Sequence, residues 1–142
     1  GIPATTSVLA LNEILEKTGA RRFGLATPYL QDVQERIVAN YQRSGFDCSA
    51  ERHLGLHVNY SFAEVDEDTV RKMVRELAAE KPQAITTFCT NLRAAHLVEA
   101  LEAETGIPVY DTIATVVWKS LRLAGVDTRA LQGWGRLFRE VE

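Results

Sequence analysis

One stretch constrains this chain more than any other: Gln83-Ala84-Ile85-Thr86-Thr87-Phe88-Cys89-Thr90-Asn91-Leu92-Arg93. Its first half is short, apolar and β-branched, and reads as a buried strand. The strand stops at a cysteine, and the residues beyond it predict a helix from about Leu92 to Glu104. Cys89 then sits at the carboxyl end of a strand, the edge at which open α/β sheets bind ligands. A helix amino terminus beside it would supply free N–H groups and partial positive charge, which lower a thiol pKa and attract anions. A buried cysteine acting as a small apolar residue fits the same position, and position alone leaves both readings open.

The flanking sequence supplies the layers for such a strand. Thr6 or Ser7 can cap a first helix to about Lys17, with Val8, Leu11, Ile14 and Leu15 inward and Gly19 as its stop. Arg22 to Ala26 reads as a strand ending at Thr27-Pro28-Tyr29. Asp32 can cap a second helix to about Ser44, with Val33, Ile37, Val38 and Tyr41 inward and Gly45 closing it. Phe46 to Glu51 alternates apolar and polar, the pattern of a strand with one wet face near a sheet edge, and makes Cys48 a core residue. Leu54 to Ala63 follows neither period and reads as a pocket-lining or Ω-type loop. Asp66, Glu67 and Asp68 open a third helix with the stripe Val70, Met73, Val74 and Leu77, ended at Lys81-Pro82. After Cys89 and its helix, Val109-Tyr110 is a short strand. Asp111 or Thr112 then caps a helix to about Ala124, with Ile113, Val116, Val117 and Leu121 inward. Alternating strands and helices predict a three-layer α/β/α fold with a four-stranded parallel sheet. The expected division is residues 1–19, 20–125 carrying Cys89, and a tail at 126–142.

Composition narrows the function classes. The 142 residues suffice for one domain with a real core, and the net charge is −3. No basic run or basic aromatic stripe is present, which argues against nucleic acid. No apolar run approaches the 18 or so residues of a membrane span, so no membrane partner is expected. Two cysteines make no disulfide framework, and a reducing, cytoplasmic setting fits. His53, His57 and His96 are scattered, so no metal site is expected.

Gly-Ile-Pro occurs twice, at Gly1 and at Gly106. The second copy ends a longer unit: strand, Cys-Thr-Asn, helix, Gly-Ile-Pro, helix. The first has that tail without its head. Internal repetition marks duplicated architecture, and the expectation is a preceding half-unit bearing its own strand-end cysteine. On this reading residues 1–19 belong to, or lead from, that lobe.

The segments GIPATTSVLALNEIL, ARRFGLATPY, HVNYSFAEV and TTFCTNLRAAHLVEALEAETGIPVYDTIATVVWKSLRLAG resemble the carboxy-terminal part of maleate cis-trans isomerases. These lie in the aspartate/glutamate racemase superfamily, with arylmalonate decarboxylase. The resemblance implies one lobe of a pseudo-twofold, two-lobe racemase-like fold, with one cysteine from each lobe at the cleft and neither organic cofactor nor metal. It implies a small carboxylate substrate and a homodimer of the full-length protein. The first-lobe cysteine would add to the alkene of maleate and Cys89 would be its acid/base partner. Tyr29 and Asn59 would hold substrate carboxylates, as would backbone N–H groups around Thr90 and Asn91. Thr27-Pro28-Tyr29 with Asn59 favours the isomerase branch. The isolated lobe, lacking the other cysteine, is expected to be inactive.

Plainer roles exist for each residue. Tyr29 could cover a strand end, Asn59 could cap its own loop, Thr5 and Thr6 could be helix caps, and His57 a loop side chain. An arylmalonate-type decarboxylase, an amino-acid or hydantoin racemase, and a non-catalytic module binding a small acid are the competing functions.

Overall fold

A computed structural model describes all 142 residues. Helix α1 (Ser7–Thr18) precedes strand β1 (Phe23–Thr27); α2 (Gln31–Arg43), β2 (Glu51–His53), α3 (Asn59–Phe62) and α4 (Glu67–Ala79) follow. Then come β3 (Ala84–Thr87), α5 (Val98–Thr105), β4 (Val109–Asp111), α6 (Thr112–Leu123) and α7 (Leu137–Glu140). The strands form one parallel sheet in the order β2-β1-β3-β4. This is the expected three-layer α/β/α fold.

Both faces of the sheet are buried, because successive strand side chains point to opposite sides. Phe23, Leu25 and Tyr110 enter a core with Leu11, Ile14 and Leu15 of α1, Tyr41 of α2 and Trp118 of α6. Ala26, Ile85 and Val109 enter the other, with Val70, Met73, Val74 and Leu77 of α4 and Leu101 of α5. Gly24 permits the close approach of α4: a Cβ there would lie 3.2 Å from both Leu77 Cβ and Ile85 Cγ1.

Helix ends follow local chemistry. The Thr6 hydroxyl accepts from Leu9 N and Gly19 closes α1 at φ 70°. Asp66 caps α4, and Asp111 caps α6 through Ile113 N and Ala114 N. Asp32 is not a cap. Leu30 holds that position with no side-chain bond, and Asp32 pairs with Arg36 one turn on.

Four further expectations are corrected. The strand expected at Phe46 to Glu51 is split: Asp47 makes an isolated bridge to Arg22, and the ladder resumes at Glu51–His53. The burial alternation still holds, with Phe46, Cys48 and Ala50 inside, and β2 is an edge strand. Second, no helix begins at Leu92. The chain turns at Thr90–Asn91, makes a 3₁₀ turn at Ala95–Leu97 and becomes α-helical only at Val98. Leu92, Leu97, Val98 and Leu101 are all buried, so their spacing reports burial reached first through a turn. Third, α6 is rotated from the predicted face. Ala114, Thr115 and Trp118 point inward, while Ile113 and Val117 are 39% and 40% exposed. The small residues Ala114 and Ala10 let α6 and α1 approach, and the Thr115 hydroxyl donates to Ser7 O across the contact. Fourth, on α2 the buried residues are Gln34 and Tyr41, and Val33 faces outward.

Residues 1–19 contribute α1 to this lobe's own core. The tail at 126–142 is built in as well. Leu137, Phe138 and Val141 complete the first core, and Trp118 Nε1 donates to Val141 O at 3.1 Å. The buried Glu102 carboxylate accepts from Val109 N and Arg136 N, tying β4 and the tail to α5. No helix is long and apolar enough to cross a membrane.

Candidate active site

Parallel strands put all four carboxyl ends on one edge, and the chain makes a pocket there. Cys89, two residues beyond β3, is 5% exposed. Thr6, Ser7, Val8, Tyr29, Phe88, Cys89, Thr90 and Thr112 enclose about 170 Å³. The amino ends of α1 and α6 and the turns after β1 and β3 supply these groups. No charged side chain is among them, and no acidic residue stands in the first turn of α1. A larger concavity of about 710 Å³ lies at the opposite, amino edge, among Lys17, Gln83, Arg136, Glu140 and Glu142. It is wide, charged and holds none of the expected site residues.

Tyr29 is half-buried against the thiol. Burial, then a hydrogen bond and charge from Cys89, push its phenol above the ordinary tyrosine value. The phenol therefore stays protonated in the pocket that Cys89 also lines. Its ring packs edge-on against Phe62 of α3, 5.5 Å between centroids. Its backbone is held too: Tyr29 N donates to Thr27 Oγ1, and Tyr29 O accepts from Gly55 N.

The turn after β3 presents unspent backbone donors. Phe88 N donates to Ala26 O and Leu92 N to Cys89 O, but the N–H groups of Cys89, Thr90 and Asn91 meet no acceptor in the chain. Successive free amides at a turn are available to an anion, and of these residues Cys89 and Thr90 line the pocket. The strand end beneath is rigid. The Thr87 hydroxyl donates to Asp111 Oδ2 at 2.7 Å, and the Thr112 hydroxyl to Thr87 O. Asp111 is fully buried, and burial raises its carboxyl above the usual range against the opposing pull of its three donors.

Tyr29, Cys89 and Thr90 are thus brought together around one pocket. Asn59 and Asn91 lie beside it and face each other. Asn91 Nδ2 donates to Asn59 O at 2.7 Å and approaches Asn59 Oδ1 at 3.4 Å. The loop from Leu54 to Ala63 lines none of the pocket, correcting that expectation. It buttresses Tyr29 through Phe62 and ties the Cys89 turn through Asn59. Thr6 is both a helix cap and a pocket wall, Thr5 donates to Thr6 O, and His57 is exposed outside the pocket. Sequence reasoning missed Ser7, Val8, Phe88 and Thr112 as lining. The signal for Thr112 was its place beside a capping aspartate at another strand end. Cys48 is fully buried, and burial pushes its thiol up to about 12.

A family model for arylmalonate decarboxylase matches residues 1–138. The chain is 34% identical to arylmalonate decarboxylase of Bordetella bronchiseptica over 142 residues, covering 99% of this chain and 59% of that protein. It is 31% identical to a maleate isomerase of Nocardia farcinica, covering 95% of this chain and 54% of the relative. The chain therefore spans a little over half the length of the curated relatives it matches. A solved mutant of the Nocardia farcinica maleate cis-trans isomerase, with a covalently bound succinylcysteine intermediate, superposes with a TM-score of 0.88 at 29% identity. The match covers 96% of this chain and 56% of that one. A mutant of arylmalonate decarboxylase in the liganded form also gives 0.88 at 31% identity, over 97% and 60%. These one-lobe matches, on a lobe whose strand-end cysteine faces a small neutral pocket, show that the chain belongs to the arylmalonate decarboxylase family, within the racemase-like superfamily that includes the maleate isomerases.

Proposed function

We propose that this lobe supplies half of a cofactor-independent active site that isomerises a small dicarboxylate, maleate to fumarate, with Cys89 as acid and base. The observation that carries this reading is the uncharged pocket that Cys89 and Thr90, whose amides are unspent, share with Tyr29. A thiolate from a facing lobe adds to one alkene carbon of maleate, and the other carbon takes the proton of the Cys89 thiol. The product is a succinyl thioether, in which the former double bond rotates freely. After rotation, the Cys89 thiolate takes back the proton and the first sulfur leaves, giving fumarate. The succinylcysteine seen in the Nocardia farcinica relative has the composition of that intermediate.

This chain's groups fit their parts. Addition beside a carboxylate builds negative charge, so donors set in place beforehand lower the barrier. The amides of Cys89, Thr90 and Asn91 suit one carboxylate. The hydroxyls of Thr6, Ser7 and Thr112 suit a second polar end. Tyr29 is a neutral donor for the Cys89 thiolate. Asn59 acts through Asn91, holding the turn that presents the amides.

Decarboxylation of an arylmalonate, with Cys89 protonating the enediolate left by departing CO₂, is the second reading. The family match favours it, and so do Val8 and Phe88, which give one side of the pocket an apolar wall. The test is the full natural polypeptide with maleate and no added cofactor, followed by proton NMR beside Cys89→Ser. Fumarate from the wild type alone supports the isomerase; its failure to form refutes it. Arylmalonates, then D- and L-aspartate with deuterium uptake at the α-carbon, separate decarboxylase from racemase. Silence throughout points to a non-catalytic module.

A further inference from the structure

The face of α2 turned toward the sheet carries a polar residue where an apolar one would be ordinary. Gln34 is 2% exposed, and a buried amide is costly unless bonded. Its Oε1 accepts from Thr27 Oγ1 at 2.6 Å, and its Nε2 donates to Glu51 Oε2 at 2.8 Å. That same carboxylate oxygen lies 2.9 Å from His53 Nδ1. Thr27, fully buried, accepts in turn from Tyr29 N at 3.3 Å. One continuous path therefore runs from edge strand β2, through α2, to the turn that bears Tyr29. Backbone bonds reinforce it: Leu54, Gly55 and Leu56 donate to Thr27 O, Tyr29 O and Pro28 O.

We propose that Gln34 and Thr27, anchored by Glu51, are positioning residues that hold the Tyr29 phenol against Cys89. This rests on the reading of Tyr29 and Cys89 as one site. Gln34 touches neither side chain. It fixes the rotamer of the Thr27 hydroxyl: that oxygen gives its only proton to Gln34, so its lone pairs remain to accept Tyr29 N. Without Gln34 the hydroxyl can turn to another acceptor, the turn loosens, and the phenol loses its bearing on the sulfur. A packing role alone would be served as well by leucine or methionine, which leave no amide to satisfy.

The test is the rate at which iodoacetate alkylates Cys89 in the full natural polypeptide, read by peptide mass spectrometry on the low-pH limb of the rate profile. Alkylation of Cys48, which is fully buried, reports unfolding in the same sample. Removing a donor from beside the reacting sulfur is expected to slow Cys89 alkylation by about threefold in Tyr29→Phe, and by about twofold in Gln34→Met and Thr27→Val. Thr27→Ser, which keeps the hydroxyl, should match the wild type. Adding Gln34→Met to Tyr29→Phe should slow it no further. Wild-type rates in a Gln34→Met protein with Cys48 still protected would overturn the proposal. So would equal slowing with and without Tyr29, or no effect of Tyr29→Phe itself. Should Gln34→Met expose Cys48, the Thr27 pair decides: equal rates for Val and Ser overturn it. Absence of fumarate with this alkylation pattern intact would refute the substrate reading and leave the positioning standing.

Discussion

Asp111 joins the strand end beneath the candidate site to the helix beside it, and its removal has a size that can be worked out. The side chain is fully buried. Its Oδ1 accepts from Ile113 N and Ala114 N, and its Oδ2 accepts the Thr87 hydroxyl. Asp111→Ala removes a helix cap, costing about 1–2 kcal/mol. It also strands a buried hydroxyl, costing about 1–3 kcal/mol. The sum is about 3 kcal/mol after the relief of no longer burying a carboxylate. With an unfolding entropy of roughly 2.1 cal/mol/K per residue, the 142 residues give about 0.3 kcal/mol/K, so the Tm should fall by about 10 °C. Asp111→Asn keeps an acceptor for the two N–H groups and can donate to Thr87 Oγ1, so its loss should be about 1 kcal/mol or less. Wild type and Asp111→Asn separate in their pH dependence. Burial raises the folded carboxyl above the unfolded value of 3.8. Wild-type stability from this group is therefore fully present below 3.8 and is lost as pH rises through the folded pKa. Asparagine has no such loss. Thermal melts of both proteins in steps from pH 4 upward should show the gap shifting in favour of Asp111→Asn. A constant gap, or one shifting toward the wild type, would refute the reasoning.

Gly135→Ala should free the tail. At φ 86° a side chain is strained, and its Cβ would lie 2.5 Å from Val98 Cγ1 and 2.9 Å from Glu102 Oε2. A loss of roughly 3 kcal/mol is expected, read in urea melts beside faster proteolysis of residues 126–142. Native protein given iodoacetamide at pH 8 should label Cys89 well before Cys48, whose thiol burial pushes up to about 12; equal labelling would contradict that burial. Asn91→Ala cuts the tie to Asn59 O. It should cost under about 1 kcal/mol at this exposed site, yet speed amide exchange across Asn59–Phe62 measurably.

The order of elements was legible because each strand and helix carries its own period and its own stop. Gly19, Asp66, Lys81-Pro82 and Gly106 each end or begin an element where the residue type requires it. What was not legible were choices made between elements. The face of α6 was misread because Ile113 and Val117 are the more apolar residues, whereas Ala114 and Thr115 are the ones small enough for α1 to approach. Gln34 was passed over for Val33 because an inward glutamine makes sense only once Thr27 and Glu51 stand on either side. Seven and seventeen residues separate those partners from it, and no local pattern encodes such a meeting. The tail gave no period at all. Its placement depends on two acceptors, Val141 O for the Trp118 indole and the Glu102 carboxylate for Arg136 N.

The site shows the same division. Strand-end cysteine, Tyr29 and Thr90 were visible as a group, and the structure gathers them at one pocket. Donors are expected both at a helix terminus beside Cys89 and in the backbone around Thr90 and Asn91, and that helix starts nine residues after Cys89. The turn between them leaves three consecutive amides unspent. For the dicarboxylate proposed above as substrate, this is the better arrangement. A helix terminus offers a diffuse partial charge, whereas adjacent free N–H groups define where each oxygen must lie. The pocket has no lysine or arginine in its lining. A full positive charge there would hold a carboxylate reactant and product alike, and uniform binding of that kind lowers no barrier. In the proposed reaction, neutral hydroxyls and amides, with one phenol kept protonated in the pocket, would instead answer charge as it moves from sulfur to carbon and back. That logic ties the chemistry to Tyr29 and hence to the buried amide of Gln34 behind it.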